Sequence, residues 1–248
     1  MSTSTRLNYK YRGGPSVRPH IIETRINMKN LIIDERIRKI EYDYLSKYFN
    51  IIKLPLSEDV YDEISGHSDI FYCNINNKII CASNAKYINE NFIKGNETVK
   101  EKYPEDIIYN VCQIGDSVIG SKYADSSIKV DVLVKQGYTK CSIAVTSDKS
   151  CITSDEKIAE ILNEIGIDAL YVKEENIDLL DRNGKKSSKK GFIGGASLIF
   201  DNKFVLFGDI NNLKSKDLII NHIKKYNLEL IDFKDIEIID YGGGIIFD

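Results

Sequence analysis

Several apolar segments of this chain each reach a tight turn of Asn, Asp or Gly and continue into a second apolar segment. These three residue types tolerate the positive φ angles that a hairpin turn needs when it joins two twisted strands. The repetition predicts four β-hairpins: residues 70–75 with 78–82, 110–114 with 117–120, 141–145 with 150–153, and 196–200 with 204–207. A chain with this repetition favours an array of similar strand units over an irregular fold.

Helical segments alternate with the hairpins. Between residues 154 and 165, apolar side chains recur at the i, i+3, i+4, i+7 spacing of one helix face. The same pattern recurs over residues 35–48 and 215–226, and each of the three segments precedes a short apolar stretch that predicts a returning strand. Residues 122–130 leave room for only a single helical turn, so one unit is weaker than the others.

The two ends of the sequence complete the pattern. Residues 30–34 form a lone apolar segment ahead of a helix, and residues 245–247 form another at the C-terminus. Pairing them would supply a fifth unit and leave no exposed sheet edge. We therefore predict an α/β fold, a five-bladed α/β propeller of ββαβ units closed by its N- and C-terminal strands. Residues 28–248 would form this single domain, and residues 1–27, which lack periodicity, a flexible N-terminal arm.

Composition excludes several classes of protein. The chain has 248 residues, is 42% hydrophobic and has a net charge of −3, so it can bury a core but lacks the basic surplus of nonspecific nucleic-acid binders. No apolar run approaches the ~18 residues of a membrane span, so we expect a cytoplasmic protein without membrane contact. Five cysteines without a Cys-x-x-Cys pattern indicate free thiols rather than disulfides or a zinc knuckle. We expect no nucleic-acid partner, no cofactor and no metal.

Short motifs are spread along the chain: His67-Ser68-Asp69-Ile70, Tyr103-Pro104-Glu105-Asp106, Val134 to Cys141, Ile152-Thr153-Ser154-Asp155, Gly191 to Gly195, and the terminal Gly-Gly-Gly-Ile-Ile. Together they resemble an uncharacterised bacterial family, a domain of unknown function placed with the guanidine-modifying-enzyme (pentein) fold. The resemblance implies a fivefold propeller of ββαβ units. Enzymes of that fold, such as arginine and agmatine deiminases, use a Cys nucleophile near the C-terminus, a His acid/base and carboxylates that clamp a planar guanidinium.

The resemblance carries over to this chain only in part. His67-x-Asp69 is similar to the deiminase motif in which His transfers protons and Asp binds the guanidinium. Residues 242–244 are similar to the segment that delivers the nucleophile, but Ile245 follows them and no Cys does. Residues 193–196 are nearest to a Glu-Gly-Gly-Asp/Asn motif and lack both its carboxylate and its amide. The resemblance thus implies a guanidine-type site without its usual C-terminal nucleophile.

Three residues are candidates for catalysis. His67 is the best placed of the histidines for acid/base chemistry, and Asp69 would orient its ring; the alternative is a hydrogen-bonded structural histidine. Cys112 is a weaker candidate for a nucleophile. Since Cys73 stands at the same offset before its own turn, the alternative is that both cysteines fill a core position. Cys141 follows a lysine whose charge would favour a thiolate, but burial in the next strand is the favoured interpretation.

Five further residues are candidates for ligand binding: Asn110, Gly194, Gly195, Asp240 and Gly243. Asn110 could position a polar ligand, and Asp240 could hold a cationic group, although a solvent position at a strand end is equally compatible with the sequence. The glycines either allow close approach of backbones or present amides to a ligand. They match no phosphate-binding motif.

The sequence leaves two functions open. The first is a protein that binds a small polar guanidino or amidino ligand in the central channel; if it is an enzyme, it is a hydrolase or transferase that acts on the C–N bond of this ligand. The alternative is a non-catalytic propeller that interacts with a protein or with the ribosome, as a ribosome anti-association factor of that fold does. The lysine-rich segment 185–190 predicts a solvated, mobile loop, or else a phosphate or partner contact. The oligomeric state is not set by the sequence.

Overall fold

In the computed structural model, residues 28–173 and 176–248 are described, so the arm predicted for residues 1–27 lies outside the described residues. The strands are β1 (Asn30–Asp34), β2 (Asn50–Leu54), β3 (Tyr72–Ile75), β4 (Lys78–Cys81), β5 (Ile93–Lys94), β6 (Cys112–Ile114), β7 (Ser117–Gly120), β8 (Val132–Leu133), β9 (Ile143–Ser147), β10 (Ser150–Thr153), β11 (Asp168–Tyr171), β12 (Ile177–Leu180), β13 (Lys186–Lys190), β14 (Ser197–Phe200), β15 (Lys203–Leu206), β16 (Glu229–Ile231), β17 (Ile238–Ile239) and β18 (Ile245–Phe247). The α-helices are α1 (Lys39–Leu45), α2 (Ser68–Phe71), α3 (Thr139–Ser142), α4 (Glu156–Glu164) and α5 (Lys216–Lys225), and two 3-10 turns span Asp62–Ile64 and Ile210–Asn212.

The strands of the described residues form six three-stranded sheets, and all six share one plan. In each sheet a central strand pairs antiparallel with one neighbour and parallel with the other. Written with the central strand in the middle, the sheets are β18-β1-β2, β3-β4-β5, β6-β7-β8, β9-β10-β11, β13-β12-β17 and β14-β15-β16. The repetition in the sequence therefore corresponds to a repeated sheet.

The predicted hairpins are confirmed as β3–β4, β6–β7, β9–β10 and β14–β15. The turns of β3–β4, β6–β7 and β14–β15 contain left-handed residues: φ is 53° at Asn76, 59° at Asn77, 57° at Gly115 and 49° at Asp201. Few residue types adopt this region at low cost, which is why the turns could be located from the sequence.

The three predicted long helices are present as α1, α4 and α5, each shorter than its sequence pattern. Helix α4 shows why its start was recognisable, since the Asp155 side chain accepts a hydrogen bond from the amide of Ile158 at 3.0 Å. Its buried face consists of Ile158, Ala159 and Leu162 and packs against β10 and β11.

The predicted pairing of the two chain ends is also confirmed. Strand β1 runs antiparallel to β18, with Leu31 opposite Ile246 and Ile32 opposite Ile245, and parallel to β2. Leu31 and Ile32 are fully buried, so this sheet belongs to the core. The pairing also fixes the position of residues 240–244, which immediately precede β18.

The predicted five-bladed α/β propeller of ββαβ units is wrong. The described residues form six small sheets and no closed propeller. Three of the sheets also depart from the ββαβ order. No helix lies between β4 and β5 or between β7 and β8, and in the sheet β13-β12-β17 the central strand comes first in the chain. The sequence pattern counted only the hairpins with recognisable turns, and it missed a sheet whose third strand comes from far along the chain.

That additional sheet contains the lysine-rich segment, so the predicted loop at residues 185–190 is wrong as well. Strand β13 pairs antiparallel with β12, and β12 pairs in parallel with β17. Lys186 and Lys190 contact the carboxylate of Asp178 on β12, at 3.0 Å and 2.6 Å. The lysines form a strand here because the backbone pairs with β12 and because Asp178 offsets part of their mutual repulsion.

Strands β18, β3, β6, β9 and β14 contact one another in this order, and we refer to them as the inner strands. Apolar side chains of the sheets and helices form four buried clusters around them. Because the inner strands lie next to one another, the residues that immediately precede them are also brought together. Among the described residues, no helix has the length and apolar character needed to cross a membrane.

Candidate active site

The candidate site consists of residues at the starts of the inner strands. Four residues stand two positions ahead of their strand: Asn110 before β6, Cys141 before β9, Gly195 before β14 and Gly243 before β18. This shared offset places equivalent positions of different sheets around one point. Polar residues at such positions face one another although they are distant in the sequence.

Two single-turn helices orient the side chains ahead of β3 and β9. His67 is the N-cap residue of α2, Asp69 lies within α2, and Cys141 lies within α3. The sequence pattern had placed residues 70–71 and 141–142 in strands. The helical turns found there instead direct these side chains toward a common centre, where they meet Asn110 and Asp240. We refer to these five residues as the buried cluster, and each is at most 2% exposed.

The thiol of Cys141 lies at the centre of a hydrogen-bond network. Its Sγ donates to Oδ2 of Asp69 at 3.0 Å and lies 3.1 Å from Nδ2 of Asn110, which donates to it. Asn110 also donates to the backbone carbonyl of Asp69 and accepts from the amides of Lys140, at 2.7 Å, and Cys141, at 3.2 Å. Asn110 therefore fixes both the thiol and the backbone that carries it.

The imidazole of His67 is buried without hydrogen-bond partners. Neither ring nitrogen has one among the described residues, and Oδ1 of Asp69 also has none. The nearest carboxylate to Nδ1 is Oδ1 of Asp240, at 3.8 Å. A ring nitrogen of His67, a carboxylate oxygen of Asp69 and the Sγ of Cys141 all lie within 4.8 Å of one another, close enough to hold a metal ion. Since buried polar atoms are normally paired, these free atoms mark the centre of a polar site.

Asp240 is held rigidly at the edge of this centre. Its Oδ1 accepts from the amide of Gly242 at 2.8 Å, and its Oδ2 accepts from the amide of Phe192 at 2.9 Å. A Cβ atom on Gly195 would lie 1.9 Å from Oδ1 of Asp240. Only glycine therefore fits at position 195 while the carboxylate keeps its place.

The other glycines also allow the backbones to approach closely. A Cβ on Gly194 would lie 2.4–2.6 Å from three carbonyl oxygens, including that of Cys141. The amide of Gly195 donates to the carbonyl of Cys141, and the amide of Gly243 donates to the carbonyl of Gly195. These contacts fit the close-approach interpretation; ligand binding by Gly194, Gly195 and Gly243 stays a prediction.

Burial controls the protonation of the cluster. Burial, helped by the positive charge of Arg36 and opposed by the backbone of Asp240, lowers the pKa of His67 well below its ordinary value. Burial raises the pKa of Asp69 to about 6, against the opposing charge of Lys140. Burial and the charge of Asp69 raise the pKa of Asp240 to about 7. The pKa of the Cys141 thiol is raised well above its ordinary value by burial and by Asp69, so the resting cluster contains a neutral thiol and a neutral imidazole.

A second group of polar residues, made of Tyr61, Tyr138 and Asp106, lies beside the buried cluster. The hydroxyls of Tyr61 and Tyr138 are hydrogen-bonded to each other, and Tyr138 donates to Oδ2 of Asp106 at 2.5 Å. Burial raises the pKa of Tyr61 to about 12, and the negative charge of Asp106 adds to this effect. Oδ1 of Asp106 is buried without a partner.

A large cavity runs along the inner strands from their hairpin ends to residues at their starts, such as Val111 and Gly244, and we call it the hairpin cavity. Its volume is about 760 Å³, and hairpin residues such as Asn74, Gln113 and Asp201 line it. None of the buried cluster lines it, but Lys140 does, and the charge of Lys140 also acts on Asp69. The cavity and the cluster are therefore neighbours that share Lys140.

The structure brings most of the predicted site residues together. His67, Asp69, Asn110 and Asp240 belong to the buried cluster, as described above. Cys112 instead lies on β6 and lines the hairpin cavity. Burial raises the pKa of Cys112 to about 11, so its thiol is protonated at neutral pH. Its thiol is not among the ligand atoms that converge with those of His67 and Asp69.

Sequence reasoning missed the importance of Cys141. A cysteine within an apolar segment is normally a core residue, and nothing near it in the sequence pointed to His67 or Asp69. One signal was present, because Cys141 stands at the same offset from its hairpin as the polar residue Asn110 does from its own. Aligning the repeated units on their strands would have placed Cys141 among the site residues.

Comparison with family models gives the relationship of the chain to other proteins. A model of a family of unknown function, DUF6873, matches residues 32–246. The chain belongs to this family. The matched segment includes the whole buried cluster of this DUF6873 protein, and the expectation of a family of unknown function is confirmed. No curated protein and no solved structure matches the chain.

Proposed function

We propose that the buried cluster is the active site of a cysteine-dependent enzyme that cleaves a C–N bond of a small amidine or guanidine cation. One observation carries the proposal. Both ring nitrogens of His67 and Oδ1 of Asp69 are buried beside the thiol of Cys141, without partners in the part of the chain that the structure describes. A nucleophile, an acid/base group and a free carboxylate oxygen thus surround one point, which is the arrangement that covalent catalysis requires.

The charges of the site favour a cation with a single charge. Asp69 and Asp240 contribute two negative charges when ionised, and Lys140 contributes one positive charge nearby. One monovalent cation therefore makes the group neutral, whereas an anion would add to a buried negative charge. An amidinium is planar and donates parallel hydrogen bonds that match a carboxylate. The similarity of His67-x-Asp69 to the deiminase motif supports the same class of ligand.

The bound cation would also activate the nucleophile. A positive charge beside Cys141 stabilises the thiolate and so lowers the pKa of that thiol, which burial and Asp69 hold high in the free protein. The thiol is therefore unreactive until the substrate arrives. This coupling suits a buried site, because an unpaired thiolate there would be costly.

The side chains can carry out a balanced hydrolysis. The thiol of Cys141 passes its proton to His67, and the sulfur bonds to the central carbon of the cation. His67 returns this proton to a nitrogen, whose bond to the carbon breaks, so that ammonia or an amine leaves. Water then adds to the carbon with His67 as base, the C–S bond breaks, and the thiolate regains a proton. The net products are an amide or urea and an ammonium ion.

The test combines turnover with covalent labelling. A panel of guanidines and amidines is assayed for ammonium or amine release, and the protein is treated with 2-chloroacetamidine, which joins an amidinium to an alkylating carbon. We expect turnover of at least one compound, a fall of about 10³-fold or more in Cys141→Ser, and alkylation at Cys141 found by peptide mass spectrometry.

Cys112→Ser is the matched control, because this variant also replaces a buried cysteine that precedes a hairpin turn. It should keep turnover and labelling at Cys141. Turnover that survives in Cys141→Ser, or alkylation of another cysteine in its place, would show that the nucleophile is assigned wrongly. Binding of the cations without any turnover would favour the non-catalytic interpretation.

A further inference from the structure

We propose that His67, Asp69 and Cys141 also form a Zn²⁺ site, and that zinc bound there reversibly inhibits the enzyme. The zinc site stands on geometry alone, whereas its inhibitory effect rests on the function proposed above. The three donor atoms lie within 4.8 Å of one another and supply nitrogen, oxygen and sulfur, the donor set of zinc sites in proteins. Three protein donors would leave the fourth position of a tetrahedral zinc ion to water.

The unpartnered atoms of the cluster are an independent indication of a ligand. His67 is 1% exposed, and neither ring nitrogen has a partner, so a nitrogen lone pair is available to a metal. The free Oδ1 of Asp69 offers a second donor, while Oδ2 holds the thiol of Cys141 in place. In a structural core, these atoms would be paired within the protein.

The groups around the three ligands resemble the outer shell of a metal site. Oδ1 of Asp240 lies 3.8 Å from Nδ1 of His67, so it can accept the ring proton after a small movement of the imidazole. Nδ2 of Asn110 donates to the sulfur of Cys141, a contact that also stabilises a metal-bound thiolate. Both outer groups are anchored, Asp240 by two amides and Asn110 by its bonds to backbone groups.

The charge balance favours a divalent ion. Binding requires that Cys141 lose its proton to solvent, and no oxidation or reduction occurs. The thiolate, the carboxylate of Asp69 and Zn²⁺ then sum to zero charge with a neutral His67. The same thiol and imidazole are needed for the proposed reaction, so a zinc-occupied site can neither attack an amidine nor transfer its protons.

Metal binding is measured directly on the whole protein. Zn²⁺ is titrated calorimetrically in two buffers of different ionisation enthalpy, and Co²⁺ is used as the spectroscopic probe. We expect one ion per chain, release of a proton, and a thiolate-to-cobalt charge-transfer absorption that is lost in Cys141→Ser. Asp240→Asn should weaken binding about 10–100-fold, as is typical of outer-shell partners.

Cys112→Ser is again the control and should bind both metals as the wild type does. Thermal unfolding of each variant, measured without metal, separates loss of the site from loss of the fold. If Cys141→Ser does not fold, the absorption spectrum of the wild-type cobalt complex decides the question by itself. No binding with zinc in excess, or a cobalt spectrum without the thiolate band, overturns the zinc site.

The two proposals fail in different ways. Zinc binding without any turnover of amidines would overturn the proposed enzyme and leave the zinc site standing. Turnover that is unaffected by saturating zinc, in a protein that shows the thiolate-to-cobalt band, would overturn inhibition. Turnover without metal binding would overturn the zinc site and leave the enzyme standing.

Discussion

The two ends of the inner strands are built differently. At their starts, His67, Asp69 and Cys141 are at most 2% exposed and converge within 4.8 Å. At their hairpin ends, Asn74 and Asp201 are exposed around an open cavity of about 760 Å³. Polar residues occur at both ends of the same strands, but only one end removes them from water.

The difference shows that polar residues near a turn and polar residues in a core require different explanations. Asn76, Asn77 and Asp201 at the hairpin ends are accounted for by their left-handed backbone angles. At the buried end, no turn requires a histidine, a carboxylate and a thiol, and their burial costs free energy. Electrostatic interactions are also stronger there, because water is excluded. The starts of the inner strands, where the polar residues are buried, are therefore the stronger candidate for an active site.

The largest difference in stability between the two ends is expected when a single methyl group is added at position 195. Gly195→Ala should lower the free energy of unfolding by about 3 kcal/mol, because the new Cβ overlaps the carboxylate of Asp240, which two amides hold in place. Urea denaturation measures the loss. Asp201→Ala at the hairpin end, where φ is 49°, should cost only about 1 kcal/mol. Equal losses at the two ends would contradict the tight packing of the buried end.

Replacing one asparagine at each end tests the same difference between buried and exposed residues, here through the hydrogen bonds that are lost. Asn110→Ala should lower the free energy of unfolding by about 2–3 kcal/mol, because the buried amides of Lys140 and Cys141 lose their acceptor. Asn74→Ala removes one exposed contact of 3.4 Å to the carbonyl of Ile246 and should cost about 0.5 kcal/mol or less. Denaturation curves of both variants, measured at one pH, make the comparison. A harmless Asn110→Ala would show that the cluster is more open than the structure indicates.

A smaller, pH-dependent effect is expected for Asp69. Because its pKa is raised to about 6 in the folded chain, the folded state binds more protons than the unfolded state between about pH 4 and pH 6. Its contribution to stability therefore falls as pH rises through this range. Asp69→Asn should gain roughly 2 kcal/mol relative to the wild type between pH 4 and pH 7.

The stabilities are compared by urea denaturation with a chelator present. Asp116→Asn is the control, since Asp116 is exposed at the hairpin cavity. We expect its difference from the wild type to stay nearly constant with pH. A constant difference for Asp69→Asn as well would show that its carboxyl is solvated in solution.

Local interactions are enough to predict the turns, one helix and one strand pairing of this fold. The hairpin turns follow from the few residues that accept left-handed backbone angles, and α4 follows from its cap and its apolar spacing. Pairing of β1 with β18 could be predicted because both are lone apolar strands that need partners. His67 and Asp69 were recognisable because they are neighbours in the sequence. Each of these features depends on interactions within a few residues or on the need to pair a strand.

The tertiary structure alone decided the number of sheets and the composition of the site. Strand β13 forms because a backbone partner and Asp178 stabilise a lysine-rich segment that has no strand signal of its own. Cys141 joins Asp69 across 72 residues of sequence, through a short helix that occupies the place of a predicted strand start. Hydrophobic periodicity records which face of an element is buried, but not which distant residue meets it there. The site consists of such contacts between distant residues, so it becomes visible only in the packed chain.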